Sequence, residues 1–371
     1  MKKIRLLLLI PHLGGGGAEH VAAQLACHLD PRFFDIHVGL VTKDSPGTRP
    51  LPPEVRVHRL GLERVRQAPV RLLQLVWSVR PSIILSGMAH LNQMLLLLKP
   101  FFPPRTRLLI RQNTTASLSA RTWFRCALYR FLYGRADRII CQSSAMAADL
   151  AGKFRIRREK LVVLANPIDR NRIRNVTPPE TPLWPPLATP RLLSAGRLAR
   201  EKGLDLLLQA LVPVQARHPA VHLTILGRGP EEVALRELAQ SLGIASSVTF
   251  VGFVPEPAAY YACTTLFVLS SRFEGMPNAL LEAAAGRLPL AATPCCDGVV
   301  ELLRGQPGVW QASEVSSEAL AEVILSALAS VHRPSESPVR FEHPFLAPFD
   351  LPIAIRAFEK LLLEEARGVG A

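Results

Sequence analysis

The chain reads as an α/β protein built from two doubly wound parallel sheets, on three observations. Short continuous aliphatic runs recur along its 371 residues, amphipathic helix-like stretches separate them, and one proline-rich stretch divides the series into two similar sets. A chain of this length exceeds what one hydrophobic core usually serves, so two domains are expected.

The first set of runs is IRLLLLI, FDIHVGLV, SIILSG, RLLIR and RIICQS; the second is RLLSAGR, VHLTILG, VTFVG and TLFVLSS. Runs without apolar–polar alternation belong to strands covered on both faces. The start, MKKIRLLLLIPHLGGGG, imitates a signal peptide, but its apolar run from Leu6 to Ile10 stops at Pro11 and reads as a buried strand. Between the sets, VTPPETPLWPPLATP places six prolines in fifteen residues, which continue neither a helix nor a central strand. The expected organisation is a first domain over 1–175, a linker over 176–190, a second domain over 191–340, and a segment over 341–371. That last segment ends in an amphipathic helix, near 353–366, expected to return to the first domain.

Charge is unevenly spread. Up to residue 180 the chain holds 29 Lys and Arg against 11 Asp and Glu, and beyond it 15 against 19. The net +14 therefore resides in the first half. Between Glu63 and Asp137 there is no acid, while eleven Arg and one Lys fall there, a field that attracts phosphate-rich or anionic surfaces. Six cysteines without CxxC pairing argue against a zinc site or a disulfide framework and point to a reducing cytosol. No run approaches the ~18 uncharged residues of a membrane span, so membrane contact is expected to be peripheral.

Three motifs carry chemistry. Gly14-Gly15-Gly16-Gly17-Ala18-Glu19 stands between the first strand and first helix, at the carboxyl edge of a doubly wound sheet. There glycines let backbone approach a ligand and the helix start presents N–H groups to anions. The dinucleotide fingerprint GxGxxG is not met, since position 19 is Glu; the plain alternative is a tight turn. GRLAREKG (196–203) follows the first strand of the second domain and sets two cations on a strand-to-helix loop. Arg197 can fork across two diphosphate oxygens while Lys202 supplies a mobile point charge; the alternative is a solvated turn. SRFEGMPNALLE (271–282) follows a buried strand, breaks at Gly275 and Pro277, and starts a helix near Asn278. Glu274 then precedes the helix and Glu282 lies within it, so helix-start N–H groups could hold a phosphate while each carboxylate takes up hydroxyls. The alternative is a capping Glu and a surface Glu.

In combination these residues resemble glycosyltransferase family 4, a family of retaining enzymes with the GT-B fold. GRLAREKG, SRFEGMPNALLEA and TPCCDGVVELL resemble its nucleotide-sugar domain. GGGGAEHVAAQLA, RADRIICQSSAMAADL, Asn166-Pro167-Ile168-Asp169 and ILGRGP resemble it in the same order along the chain. The resemblance implies two Rossmann-like domains facing a central cleft. It implies transfer of a hexose-type sugar from a nucleotide sugar, expected to be UDP-linked, to a lipid-linked or cell-surface glycan acceptor. It assigns Glu274 to donor sugar hydroxyls, Glu282 to ribose hydroxyls, and Arg197 and Lys202 to the diphosphate. Glu274, Arg197 and Lys202 are the catalytic set, and backbone around Gly275, Met276, Pro277 and Asn278 faces phosphate. Gly16, Gly17 and Glu19 match the first-domain loop that meets the donor phosphate and, through Glu19, the acceptor.

Two departures stand out. Many members carry a His where this chain reads Arg111-Gln112-Asn113. Gln112 and Asn113, with His90 in the earlier loop SGMAHLN, are the acceptor-side candidates in its place, although a lone His beside apolar strands is more often satisfied by a backbone partner. The small-Gly-x-Pro after the second Glu reads Gly286-Arg287-Leu288-Pro289, its glycine one place early. Altered acceptor geometry and loss of activity both stay open at this point. No DxD triplet occurs, which fits a metal-independent enzyme without cofactor in which Arg and Lys replace a divalent ion.

The segment from Ser117 to Arg138 sets Phe124, Leu128, Phe131 and Leu132 at helical spacing among Arg121, Arg125, Arg130 and Arg135. Such a helix suits a membrane interface with its cations on anionic headgroups; the plain reading is a half-buried helix with a basic edge. The expected partners are a nucleotide-sugar donor, a lipid-linked glycan acceptor and an anionic membrane surface, on the inner face of the cytoplasmic membrane. Two rivals remain: a non-transferring relative such as a nucleotide-sugar epimerase, which fold alone does not separate, and a nucleic-acid-binding protein. The second lacks a recognisable nucleic-acid motif or aromatics spaced for base stacking, so no nucleic-acid partner is expected.

Overall fold

Two parallel sheets organise the chain. The computed structural model describes residues 3–14, 16–43, 50–119, 122–176, 183–185, 188–331 and 338–368, with backbone alone at 118–119 and 123–125. It divides into two compact units, the first made of Met1–Pro167 with Pro352–Ala371 and the second of Ile168–Leu351.

In the first unit β1 (Ile4–Ile10), β2 (Phe34–Thr42), β3 (Arg56–Leu62), β4 (Ile83–Ser86), β5 (Arg107–Arg111), β6 (Arg138–Cys141) and β7 (Leu161–Val163) form a seven-stranded sheet. Its order is β3-β2-β1-β4-β5-β6-β7. Helices α1 (Gly17–His28), α2 (Pro69–Val79), α3 (Ala89–Leu98), α4 (Ala116–Ser119), α5 (Trp123–Tyr133) and α6 (Ser144–Gly152) connect these strands. Leu7, Leu9, Val76, Leu95, Ile110 and Ile139 share one buried cluster; fully burying such a side chain contributes about 1.5–3 kcal/mol.

The second unit contains α7 (Arg170–Arg174), α8 (Leu204–Arg217), α9 (Glu232–Ser241), α10 (Ala258–Cys263), α11 (Asn278–Ala285), α12 (Asp297–Leu303) and α13 (Ser317–Val331). Its strands are β8 (Arg191–Ala195), β9 (His222–Leu226), β10 (Val248–Gly252), β11 (Leu266–Leu269), β12 (Leu290–Ala292) and β13 (Val309–Gln311), in the order β10-β9-β8-β11-β12-β13. Their core includes Leu192, Leu207, Leu223, Val268 and Ile324.

The division falls between Pro167 and Ile168, ahead of the proline-rich stretch, whose residues 177–182 and 186–187 lie outside the described residues. The second unit begins there because its first residues are already bound within it. Ile168 donates its N–H to the Phe349 carbonyl (2.8 Å) and accepts from Leu351 N (3.0 Å), and Asp169 caps α7 by accepting from Arg172 N (3.0 Å). The last helix, α14 (Leu351–Arg367), belongs to the first unit from Pro352 onward. It is held by charge: buried Glu365 accepts from Arg107 (2.7 and 3.1 Å) and Arg138 (2.6 Å), while Glu359 accepts from Asp30 N (2.8 Å).

The winding of each sheet fixes where a ligand can sit. In the first unit β1 pairs with β2 on one side and β4 on the other; in the second, β8 pairs with β9 and β11. Connections leaving these neighbours turn opposite ways, which opens a crevice outside their carboxyl ends. The glycine run follows β1 and the His90 loop follows β4; GRLAREKG follows β8 and SRFEG follows β11. Both pairs of motifs therefore stand at a switch point.

Helix α5 differs from the expected amphipathic stripe. Leu132 is buried with Tyr129 and Tyr133 in the core, whereas Leu128 and Phe131 face outward at 39% and 59% exposure. The four apolar residues do not share one surface, because the tyrosines supply the buried stripe instead. Arg130 is exposed, Arg121 lies outside the described residues, and the side chains of Phe124 and Arg125 are likewise undescribed. Among the described residues no helix is long and apolar enough to cross a membrane, and no disulfide forms.

Candidate active site

The loop after β8 owes its path to glycines. Gly203 has φ +59°, and a Cβ there would come within 2.1 Å of the Ser270 carbonyl at the end of β11. Gly227 and Gly229, in ILGRGP, leave no room for a Cβ either: each would lie 1.8 and 2.1 Å from the carbonyls of Gly196 and Leu198 respectively. Leu198 N donates to Arg228 O (3.0 Å) and Glu231 N to Leu198 O (3.0 Å). The two glycine-bearing loops are thus laid backbone on backbone, and only residues without side chains permit it.

This path delivers Lys202 to the end of β11. Its Nζ donates to Glu274 Oε1, the same oxygen that accepts from Ser271 Oγ at 2.9 Å. Ser270 Oγ donates to the Lys202 carbonyl (2.8 Å), and Arg272 N donates to Glu201 O (2.8 Å), so both ends of the contact are fixed. Arg272 also forks onto Asp205 in the first turn of α8 (2.6 Å to each oxygen), and that bidentate bond holds the Asp205 carboxyl below the usual carboxylate range.

Behind Glu274 the chain turns into α11. Gly275, Met276 and Pro277 are buried, and Pro277 stands at the N-cap, where it offers no side-chain hydrogen bond of its own. Cys296 Sγ lies 3.5 Å from the Gly275 carbonyl. Asn278 is the first helical residue. Glu282 lies one turn further and accepts from the buried Tyr261 Oη at 3.0 Å; burial, with Glu282 beside it, pushes that phenol well above its ordinary range. Arg197 is brought to the same loop but not to the same contact: it is exposed and pairs with Glu201.

In the first unit Gly16 is the N-cap of α1 and Glu19 folds back over it. A Cβ at Gly16 would stand 2.1 Å from Glu19 Oε2, so glycine is required for this buried carboxylate to cover the helix start. Gly17 is exposed and Gly15 lies outside the described residues. His12 Nδ1 stands 3.9 Å from Glu19 Oε1 and accepts from Gly14 N (3.2 Å). His90 lies in the first turn of α3, after the neighbouring loop.

Gln112 and Asn113 are tied into an internal polar network. Buried Gln112 accepts from Tyr133 Oη (2.8 Å) and donates to Thr114 O (2.7 Å). Asn113 Oδ1 accepts from Arg111 Nη1 (2.7 Å) and Gln142 Nε2 (3.0 Å), and its amide donates to Gly87 O. Arg111 is 3% exposed, its other arm reaches the buried Asn166 Oδ1, and desolvation lowers its pKa to about 10.

Sequence reading missed Ser271, Tyr261, His12 and the Arg272–Asp205 fork. Ser271 and Arg272 stood inside a quoted motif, yet which serine faces Glu274 depends on strand register. Tyr261 is distant in sequence, and only its placement under α11 brings it to Glu282.

Two family models match, "Glycosyl transferase 4-like domain" over residues 16–167 and "Glycosyl transferases group 1" over 189–330. An N-acetylgalactosamine-N,N'-diacetylbacillosaminyl-diphospho-undecaprenol 4-alpha-N-acetylgalactosaminyltransferase from Campylobacter jejuni is 29% identical over 80% of this chain and 83% of its own. The lipopolysaccharide core biosynthesis glycosyltransferase LpsE of Rhizobium meliloti is 32% identical, over 43% of this chain and 45% of its own, less than half of either. The fold is shared with HepE of Anabaena, solved with UDP and glucose, at a TM-score of 0.79 across 97% of this chain and 99% of that one with 16% identity. The two models together take in the whole second sheet and every strand of the first but β1, and the chain belongs to the family 4 glycosyltransferases of the GT-B fold.

Proposed function

We propose that this glycosyltransferase is a retaining, metal-independent hexosyltransferase. Its donor is a UDP sugar held by the second unit, and its acceptor is a lipid-linked glycan of polysaccharide or lipopolysaccharide synthesis, met at an anionic membrane surface on the cytoplasmic side. The observation that carries this reading is the contact of Lys202 with Glu274 at the carboxyl ends of β8 and β11, directly before the start of α11. A cation, a carboxylate and a row of backbone N–H groups there meet the needs of a sugar diphosphate: Lys202 and Arg197 neutralise the phosphates, α11 receives an oxygen, Glu274 binds sugar hydroxyls and Glu282 the ribose. In the first unit Glu19, with His90, serves the acceptor.

The chemistry then asks little of a protein nucleophile. Fixed cations stabilise the departing diphosphate, and the diphosphate itself takes the acceptor proton on the same face. The relatives support the substrate classes: one is named for a diphospho-undecaprenol-linked saccharide, another for lipopolysaccharide core, and HepE was solved with UDP.

The test is a donor screen. The protein is incubated with a panel of nucleotide sugars and a membrane extract, and transfer or hydrolysis is followed by mass spectrometry. Turnover of a UDP sugar that falls away in Lys202→Ala and Glu274→Ala supports the site. Wild-type turnover in both variants, or epimerised donor without transfer, overturns it.

A further inference from the structure

We infer that the protein lies on an anionic bilayer through the amino edge of its first sheet, on the face covered by α2, α3 and α5. This deepens the membrane reading above and rests on it, but not on the identity of the donor. The face is assembled from three chain segments. Trp77 of α2 donates its indole N–H to the carbonyl of Phe101 (3.0 Å), in the turn after α3. In the same turn Lys99 donates to the carbonyl of Arg135 (2.7 Å), and the Arg135 guanidinium stands 4.3 Å from the centre of the Phe131 ring on α5. Trp77, Phe101 and Phe131 are nevertheless 47%, 63% and 59% exposed, with Leu97 at 53% beside them on α3.

Three aromatic rings tied together through backbone carbonyls and two cations, and open to solvent, are costly to leave in water and suit the headgroup level of a bilayer, where an apolar body meets a wet rim. Charge commits the occupant to anionic lipid. Arg80, Arg105 and Arg130 are exposed within four residues of these aromatics, and the chain from Arg64 to Ala136 has no acid. Asp137, next in line, is occupied by Lys99 (2.7 Å) and Arg107 (3.5 Å). Each cation near such a surface strengthens binding by about fivefold.

The placement also bears on the acceptor. Trp77, Phe101 and Phe131 lie just before β4, β5 and β6, hence at the opposite edge of the sheet from Gly16 and Glu19. Strands of four or five residues, at ~3.3 Å per residue, hold that carboxyl edge on the order of 15 Å from the lipid. An acceptor that reaches it carries sugars between its lipid and the reacting hydroxyl.

The test is vesicle flotation of the full chain with phosphatidylcholine alone and with phosphatidylglycerol added. Phe101→Ser/Phe131→Ser should lose binding to the anionic vesicles by about tenfold or more, and Arg105→Glu/Arg130→Glu should lose it with a weakened salt dependence. Val233→Ser, an exposed apolar site of the second unit, should bind as wild type. Thermal protection by UDP should be unchanged in every variant, which separates this inference from the donor reading. Undiminished flotation of Phe101→Ser/Phe131→Ser overturns it. So does a wild-type dimer in light scattering that this pair dissociates, since the face would then be covered by a second copy.

Discussion

Lys202 Nζ and Glu274 Oε1 are in direct contact, although seventy-two positions separate them. The contact joins the loops after two neighbouring strands, and Ser271 shares the carboxylate oxygen. Removing either charge strips the proposed donor site of a group expected to act most strongly as the diphosphate leaves. Lys202→Ala and Glu274→Ala should each lower transfer by about 10²–10³, with the melting temperature little changed; steady-state rates beside a melting curve check this.

Tyr261→Phe removes the hydroxyl that orients Glu282 and nothing else of the ring. A net hydrogen bond of about 1 kcal/mol predicts a rise in donor KM of roughly fivefold with kcat preserved. Glu282→Ala should raise KM further, because it deletes the carboxylate proposed to bind the ribose. A fall in kcat at constant KM would place Glu282 in the chemical step instead.

Gly203→Ala puts a Cβ onto the Ser270 carbonyl at a left-handed position. The strain, about 1 kcal/mol or more from φ alone, should displace Lys202. UDP protection in a thermal shift assay should disappear before the fold does.

The Asp205–Arg272 fork makes a prediction in pH. Asp205 is held below the unfolded carboxylate value of about 3.9, so its contribution is complete above that value and is lost as pH falls through the lower, folded one. Asp205→Asn should therefore be less stable than wild type near neutrality, by about 1 kcal/mol or less for so exposed a pair. The difference should close at strongly acid pH; denaturant titrations at several pH values measure it.

Glu365 is 3% exposed and receives both Arg107 and Arg138. Glu365→Gln should destabilise the first unit by about 2 kcal/mol, while UDP binding to the second unit is retained.

Much of this was legible in the sequence because parallel strands buried on both faces announce themselves: β1, β4, β5 and β11 each carry an unbroken apolar run. β3, with the exposed Arg56 and Arg59 on a sheet edge, and β12, three residues long, carry no such signal. Lys202, Glu274 and Glu282, the residues proposed for the donor side, stood out as motifs because they lie in two short segments. Their mutual contact was not, because it depends on β8 and β11 being neighbours, a matter of winding order. Gln112 and Asn113 show the opposite failure. Polar residues at a strand exit suggest a ligand, yet here neighbouring amides, a tyrosine and a buried arginine engage them. Of the outward aromatics Phe131 was singled out in the sequence but Trp77 and Phe101 were not, because they belong to other segments that only the fold ties to it.

The first unit is written in two pieces of chain, with the whole second unit inserted between Pro167 and Pro352. A fragment ending at Pro167 would lack α14 and leave Arg107, Arg138 and the Asp30 amide without Glu365 and Glu359. Any exchange of acceptor-side halves between relatives must therefore carry the last helix with it, two crossovers and not one. Recombination at the proline-rich stretch alone would join a new first half to a foreign closing helix.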